Sequence, residues 1–313
     1  MPSPTARILI IDEMHLSLFP LLEEIGAEAD YQPDIAPADV RQALAGYDGL
    51  ILRSKMRVTA DTIELAEQLK FVARAGAGVD NIDAHSLQER GIALLGANEG
   101  NRQAVGEFAA GLLVALVRYI PRSDKQVRGK VWLREENRGS EISGKTVGII
   151  GYGNMGQSFA RVMSGFGCRL IAYDCFAPEK VTSPAENVTL EELQAEADVV
   201  SLHIPYIREN LGLACDAFFD AFRKPIWFLN TSRGDVVDQA ALVRHLKSGK
   251  VKGAALDVLE NEKLHTLSPV QQENFDYLTA ADNVILTPHI AGWTHESYIK
   301  INEVLVEKIR QLL

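Results

Sequence analysis

The stretch Lys145-Thr-Val-Gly-Ile-Ile-Gly-Tyr-Gly-Asn-Met-Gly156 decides the fold. A β-type apolar run, Thr146 to Ile150, feeds a glycine turn of the form G-x-G-x-x-G. Gln157 to Phe166 reads as a helix, and a second strand, Arg169 to Tyr173, delivers Asp174 18 residues after Gly156. The glycines alone are a weak signal, but strand, turn, helix and acidic residue together specify a dinucleotide site. Gly151 serves the tight turn, Gly153 lets backbone approach a pyrophosphate, and Gly156 lets the helix pack on its strand. Asn154 and Met155 open the helix whose positive end receives the diphosphate. Asp174 accepts from the two ribose hydroxyls and would repel a 2′-phosphate at very short range. Cys175 follows it where an Arg would favour the phosphorylated cofactor, so NAD is expected rather than NADP.

Working outward, strand-like runs alternate with helical patterns. Arg7 to Asp12, Gly49 to Arg53, Phe71 to Ala75 and Ile92 to Leu95 form one set. A second set starts at Thr146 and continues through Arg169 to Tyr173, Val199 to His203, Ile226 to Asn230, Gly253 to Asp257 and Val284 to Thr287. Alternation of this kind means parallel sheets covered on both faces, and two open α/β sheets fit better than one. Between the sets, Ala104 to Ile120 is apolar on nearly all sides. It is expected to be buried all round, as a connecting helix or at a subunit contact.

Bulk properties exclude several classes. The 313 residues are 47% hydrophobic, enough for two cores. With 32 basic and 42 acidic residues the net charge is −10, which argues against nucleic acid or an anionic membrane as the main partner. Met1 to Ile11 reads as a first strand and not a signal peptide. The longest strongly apolar stretch, Phe108 to Val117, is far below the roughly 18 residues that cross a bilayer, so cytoplasmic residence is expected. Cys168, Cys175 and Cys215 are odd in number and lack metal spacing, and read as reduced thiols.

Open α/β sheets bind ligands beyond the carboxyl ends of their strands. Three such ends carry reactive groups: Arg233 within Leu229-Asn-Thr-Ser-Arg-Gly234, Asp257 and Glu262 within Ala254-Ala-Leu-Asp-Val-Leu-Glu-Asn-Glu262, and His289 within Leu286-Thr-Pro-His-Ile-Ala-Gly292. Beside nicotinamide these suit one reaction. Arg233 holds the carboxylate of a 2-hydroxy or 2-oxo acid through its planar fork and polarises the adjacent carbonyl. His289 takes the hydroxyl proton on oxidation or returns it on reduction. Glu262 orients His289 and stabilises its protonated form. Taken singly, each has a plainer reading as a solvated charge or a structural donor. His203, also at a strand end, is the rival base.

These motifs resemble those of the D-isomer-specific 2-hydroxyacid dehydrogenases, most of all the branch acting on 3-phosphoglycerate in serine biosynthesis. The resemblance runs from Leu52-Arg-Ser-Lys55 and Arg74-Ala-Gly-Ala-Gly-Val-Asp-Asn-Ile-Asp83, through the glycine turn and Asn230-Thr-Ser-Arg-Gly234, to Pro288-His-Ile-Ala-Gly292. It implies a Rossmann-type NAD domain over 103–287, inserted into a flavodoxin-like substrate domain built from 1–102 and 288–313, with a cleft between them and a homodimer made through the cofactor domains. It assigns Arg233, Glu262 and His289 the roles given above. Around the cofactor it places Ala77, His203, Ile204, Pro205, Thr231, Ser232, Arg233, Asp257, His289 and Gly292 beside the glycine turn. Three departures stand out. Lys263 takes the usual Pro position after Glu262, the 27 residues from Glu262 to His289 look long, and Ile226 replaces a usual Gly after Pro225, affecting packing only. The 24 residues after His289 suffice for one helix, so the regulatory C-terminal domain of longer relatives is expected to be missing.

Gly76-Ala77-Gly78 has the small residues that let amides approach an anion, and the resemblance makes it a substrate-carboxylate loop. Arg53, Ser54 and Lys55 directly follow a strand and are candidates to hold a phosphate together with Arg134. The substrate is thus a small anionic 2-hydroxy or 2-oxo acid. A glyoxylate or hydroxypyruvate reductase is the nearest alternative, and an NAD-sensing, corepressor-like binding protein is the alternative of a different class.

Overall fold

The computed structural model describes residues 6–313. They form two compact units, one running to Arg102 and resuming over Trp293–Leu313, the other covering Gln103–Gly292.

The first unit holds strands β1 (Ala6–Ile10), β2 (Ala27–Tyr31), β3 (Gly49–Leu52), β4 (Phe71–Arg74) and β5 (Ala93–Gly96). They pair in parallel in the order β2-β1-β3-β4-β5. This is a doubly wound order whose direction reverses between β1 and β3. Successive side chains leave opposite faces of a strand, so Ile8 and Ile10 enter one core with Phe71 and Ala73, while Leu9 and Ile11 enter another with Leu50 and Val72. The first core is completed by the last helix, His295–Leu312, whose Ile301, Leu305 and Ile309 recur at four-residue steps and pack with Leu18 and Leu22. That shared core is why the chain's two ends belong to one unit.

The second unit contains β6 (Thr146–Ile150), β7 (Arg169–Tyr173), β8 (Glu186–Asn187), β9 (Val199–Leu202), β10 (Ile226–Asn230), β11 (Val251–Leu256) and β12 (Val284–Leu286). Their order is β12-β11-β10-β9-β6-β7-β8, all parallel, with the reversal between β6 and β9. Ile226 and Phe228 of β10 pack on one face, Trp227 and Leu229 on the other. Ile226 is fully buried at the start of β10, consistent with a packing role alone.

The structure adds two strands and corrects three expectations. β2 and β8 were not legible because both are edge strands without an apolar run, β2 reading Ala-Glu-Ala-Asp-Tyr. The helix after the glycine turn begins at Asn154 and ends at Met163, with Ser164–Phe166 as a tighter 3₁₀ turn. The segment Ala104 to Ile120 is neither one helix nor buried all round. A helix over Arg102–Val117 exposes Glu107 and Gly111, Tyr119 takes a left-handed φ of 53°, and a second helix over Ile120–Arg128 leaves at 62°. Finally, residues 288–292 go with the second unit and not the first, because Ile290 and Ala291 donate their amides to Asp257. No single described helix is long and apolar enough to cross a membrane.

Leu305 tests the shared core of the first unit. It is fully buried, so Leu305→Ala should destabilise the unit by about 2–5 kcal/mol, read as a shift in its denaturant midpoint. A cost below about 0.5 kcal/mol would show that the last helix is not integral to that core.

Candidate active site

In the second unit the glycine turn fits a pyrophosphate. Gly151 has φ 88°, and a Cβ there would lie 2.5 Å from the His203 carbonyl oxygen. A Cβ on Gly156 would meet the Gly151 oxygen at 2.1 Å, whereas one on Gly153 would project into open space. Gly153 is therefore free of protein crowding just where a phosphate must approach. It also caps the ten-residue helix without any side-chain hydrogen bond, leaving the first-turn dipole for an anion. Two further groups await a partner: His203 Nδ1 and Thr231 Oγ1 are buried with none among the described residues. Unpaired buried polar atoms are costly, and both belong to the expected cofactor shell.

Asp174 follows β7 as expected. Its Oδ2 accepts from the Tyr152 amide at 2.8 Å, and its Oδ1 from Phe176 and Ala177 at 3.0 and 2.9 Å. Burial works to raise its pKa, but these three amides hold the carboxyl below the usual carboxylate range. It is thus a fixed negative charge, with unused lone pairs for hydroxyl donors.

The candidate reacting groups sit on loops after β10, β11 and β12. After β10, Asn230 accepts from Ser232 through both its amide and its hydroxyl, and donates to the Arg233 carbonyl at 2.8 Å. A Cβ on Gly234 would fall 1.8 Å from the Leu259 carbonyl oxygen, so this loop lies directly on the one that follows β11. Arg233 is half-buried and donates through Nη1 to the Ser232 carbonyl at 2.7 Å.

Asp257, 1% exposed, is the tie between β11 and the last loop. Its carboxylate accepts from the Thr287 hydroxyl at 2.6 Å and from the amides of Ile290 and Ala291 at 2.9 and 2.8 Å. The His289 amide donates to its backbone carbonyl at 2.7 Å, and His289 takes φ 55°. Asp257 thus positions the histidine through the backbone, a task the sequence did not disclose.

Glu262 and His289 meet despite Lys263 and the long segment between them. The carboxylate lies 2.9 Å from His289 Nδ1, with the two side chains 48% and 46% exposed. The intervening residues form a 3₁₀ turn at Leu264–Thr266, the capped helix Pro269–Ala280 and β12. With Nδ1 engaged, Nε2 is the nitrogen available to a substrate. His203, the rival base, is set differently: burial pushes its pKa down to about 3, its ring centre lies 5.1 Å from that of Phe159, and its Nε2 lies 2.9 Å from Ser201 Oγ.

The anion-binding candidates of the first unit separate. Arg53 follows β3 at the sheet's reversal point, with its amide on Asp12 at 2.6 Å. Its guanidinium carbon lies 4.4 Å from the Trp293 ring centre and 4.7 Å from that of Tyr298, whose hydroxyl accepts from Nη1. Neither ring was picked out from the sequence. Lys55 does not join them: its ammonium donates to the carbonyls of Pro33 and Ile35, fastening the loop after β2. Ser54 is exposed beside them. In the Gly76-Ala77-Gly78 loop, the Gly76 carbonyl accepts from the Ala97 amide at 3.1 Å, and a Cβ on Gly76 would lie 2.7 Å from the Arg74 guanidinium. Arg134 is exposed in the second unit.

Residues 110–291 match the model of the D-isomer specific 2-hydroxyacid dehydrogenase NAD binding domain. A D-3-phosphoglycerate dehydrogenase of Archaeoglobus fulgidus is 32% identical over 305 residues, 97% of this chain and 56% of the relative. The chain spans little more than half the length of that protein. A hydroxypyruvate reductase of Thermotoga maritima is 38% identical over 271 residues, 87% of this chain and 86% of the relative. A solved structure from Thermus thermophilus superposes with a TM-score of 0.81 at 31% identity, covering 96% of this chain and 94% of its own. With its glycine turn, Asp174 and the family's NAD-binding domain in place, the chain belongs to the D-isomer-specific 2-hydroxyacid dehydrogenases and its cofactor is NAD.

Proposed function

We propose that the chain is an NAD-dependent oxidoreductase acting at C2 of a D-2-hydroxy acid, with 3-phosphoglycerate and 3-phosphohydroxypyruvate, and hence serine biosynthesis, as the favoured pair. The observation that carries the reading is the 2.9 Å contact of His289 Nδ1 with Glu262. Bound NAD supplies the hydride acceptor or donor. Arg233 grips the substrate carboxylate and draws electron density from the C2 oxygen. His289 Nε2 takes the hydroxyl proton on oxidation and returns it on reduction, while Glu262 offsets the imidazolium charge. The amides of Gly76-Ala77-Gly78 are a second hold on the carboxylate, and Arg53 reads the distal phosphate.

Reduction of hydroxypyruvate is the second reading, favoured by the 38% identity to the Thermotoga maritima reductase. The corepressor-like alternative finds no support in these relatives. The same proposal extends to a homodimer in the cytoplasm: Ile120, Val127 and Trp132 leave apolar surface uncovered on the second unit, Trp132 at 81% exposure.

His289→Ala should lower kcat about 100- to 10,000-fold while NADH binding, followed by fluorescence, persists. His203→Ala should cost far less, and equal losses would overturn the assignment of His289 as the base. Glu262→Gln removes the carboxylate that faces His289 Nδ1, so kcat should fall, by less than in His289→Ala, with NADH binding kept. An unchanged kcat would sink the pairing. Arg53→Ala should weaken use of 3-phosphohydroxypyruvate roughly 10- to 150-fold more than use of hydroxypyruvate, the worth of a charge-assisted hydrogen bond. Equal losses on both acids would remove the phosphate from the proposal.

A further inference from the structure

The aromatic enclosure of Arg53 has no counterpart in the chemistry above. Four segments of the first unit converge on it. The backbone of Arg53 is held on both sides, its amide by Asp12 and its carbonyl by Arg74 Nε at 3.1 Å and Asn81 Nδ2 at 3.3 Å. The guanidinium then lies over two rings, Trp293 just before the last helix and Tyr298 within it. Those rings meet each other edge to face at 5.2 Å, and Tyr298 meets His15 at 5.9 Å. The buried Asn302 donates to the His15 carbonyl at 3.2 Å and to Ser17 Oγ at 3.0 Å, fastening the loop after β1 to the same helix.

Such stacking governs which donors remain. A guanidinium carries five N–H donors in its plane, and a ring over its face engages none of them. Nη1 is occupied by the Glu13 carbonyl at 3.5 Å and the Tyr298 hydroxyl. The three donors of Nε and Nη2 have no partner among the described residues. That edge is a fork for two oxygens of one phosphate or carboxylate. It lies at the reversal point between β1 and β3, where sheets of this order take ligands.

We propose that Trp293 and Tyr298 are specificity residues, which clamp Arg53 so that its Nε–Nη2 edge is presented to the distal phosphate of the substrate. This rests on the phosphate reading above and deepens it. A long arginine left free in solvent loses rotamer entropy when it binds an anion; one already held against two adjoining rings has less left to lose. Tyr298 also consumes Nη1, which favours side-on over end-on capture. Both residues act on phosphate through Arg53, so they are positioning residues and not catalytic ones.

The test uses the full chain and two substrates differing only in the phosphate, 3-phosphohydroxypyruvate and hydroxypyruvate. Trp293 is 59% exposed, so its replacement leaves the core intact. Trp293→Leu should cost kcat/KM for the phosphorylated acid about 2- to 5-fold more than for hydroxypyruvate, the worth of one exposed cation–π contact, with the difference in KM and not in kcat. Trp293→Phe, which keeps an aromatic face, should recover most of it. Adding Tyr298→Leu to Trp293→Leu should widen the difference to about 5-fold or more. Arg53→Ala is run alongside. If Arg53→Ala separates the two acids and neither clamp variant does, the clamp is wrong and the phosphate reading survives. If Arg53→Ala does not separate them, the phosphate reading has failed and the clamp falls with it. A loss that Trp293→Phe fails to restore, or one that appears in kcat, also overturns the clamp.

Discussion

Asp257 holds the reacting end of the second unit in place. Removing a carboxylate from water is costly unless donors replace the lost hydration. Here a hydroxyl and two amides do so, all from residues 287–291. The loop after β12 must therefore close over the end of β11, and His289 is left in a left-handed conformation that costs a non-glycine residue about 1–2 kcal/mol. Glu262 meets a ring whose backbone Asp257 has already fixed. On the other side, Gly234 brings the loop bearing Arg233 against the Leu259 carbonyl. Arginine, glutamate and histidine thus stand on three adjacent strands whose loops are locked to one another.

Central strands were legible in the sequence, and for a physical reason. Thr146 to Ile150 and Ile226 to Asn230 are buried on both faces, so their apolar runs are continuous. The glycine turn was legible because its spacing follows from backbone geometry alone. Edge strands such as Glu186–Asn187 carry no such signature. Ties between distant segments were hidden as well. Asp257 could be seen to end a strand, but not to bind a loop some thirty residues later. Arg53 could be seen as a cation, but its partner Tyr298 lies 245 positions away. Lys55 shows the converse limit, since a basic residue next to an anion-binding candidate donates to two backbone carbonyls. Nothing in its neighbours' identities distinguishes that outcome from a ligand role.

The two strand-end histidines show how burial assigns chemistry. His203 and His289 each follow a strand, and both were eligible as the base. One is enclosed beside Phe159, where desolvation pushes its pKa down. The other is half-exposed beside a carboxylate. Residue type and a place after a strand did not distinguish them; burial and neighbours do.

The half-exposure of the Glu262–His289 pair also bears on the medium in which the protein works. Ions reach both side chains, and at an ionic strength of about 0.15 M the Debye length is about 8 Å. Dissolved salt therefore screens the side-chain contact, whereas the hydrogen bonds that Ile290 and Ala291 give to the buried Asp257 are left alone. The course of the loop after β12 is set by bonds that ions do not reach, and it persists in media where the exposed contact is lost.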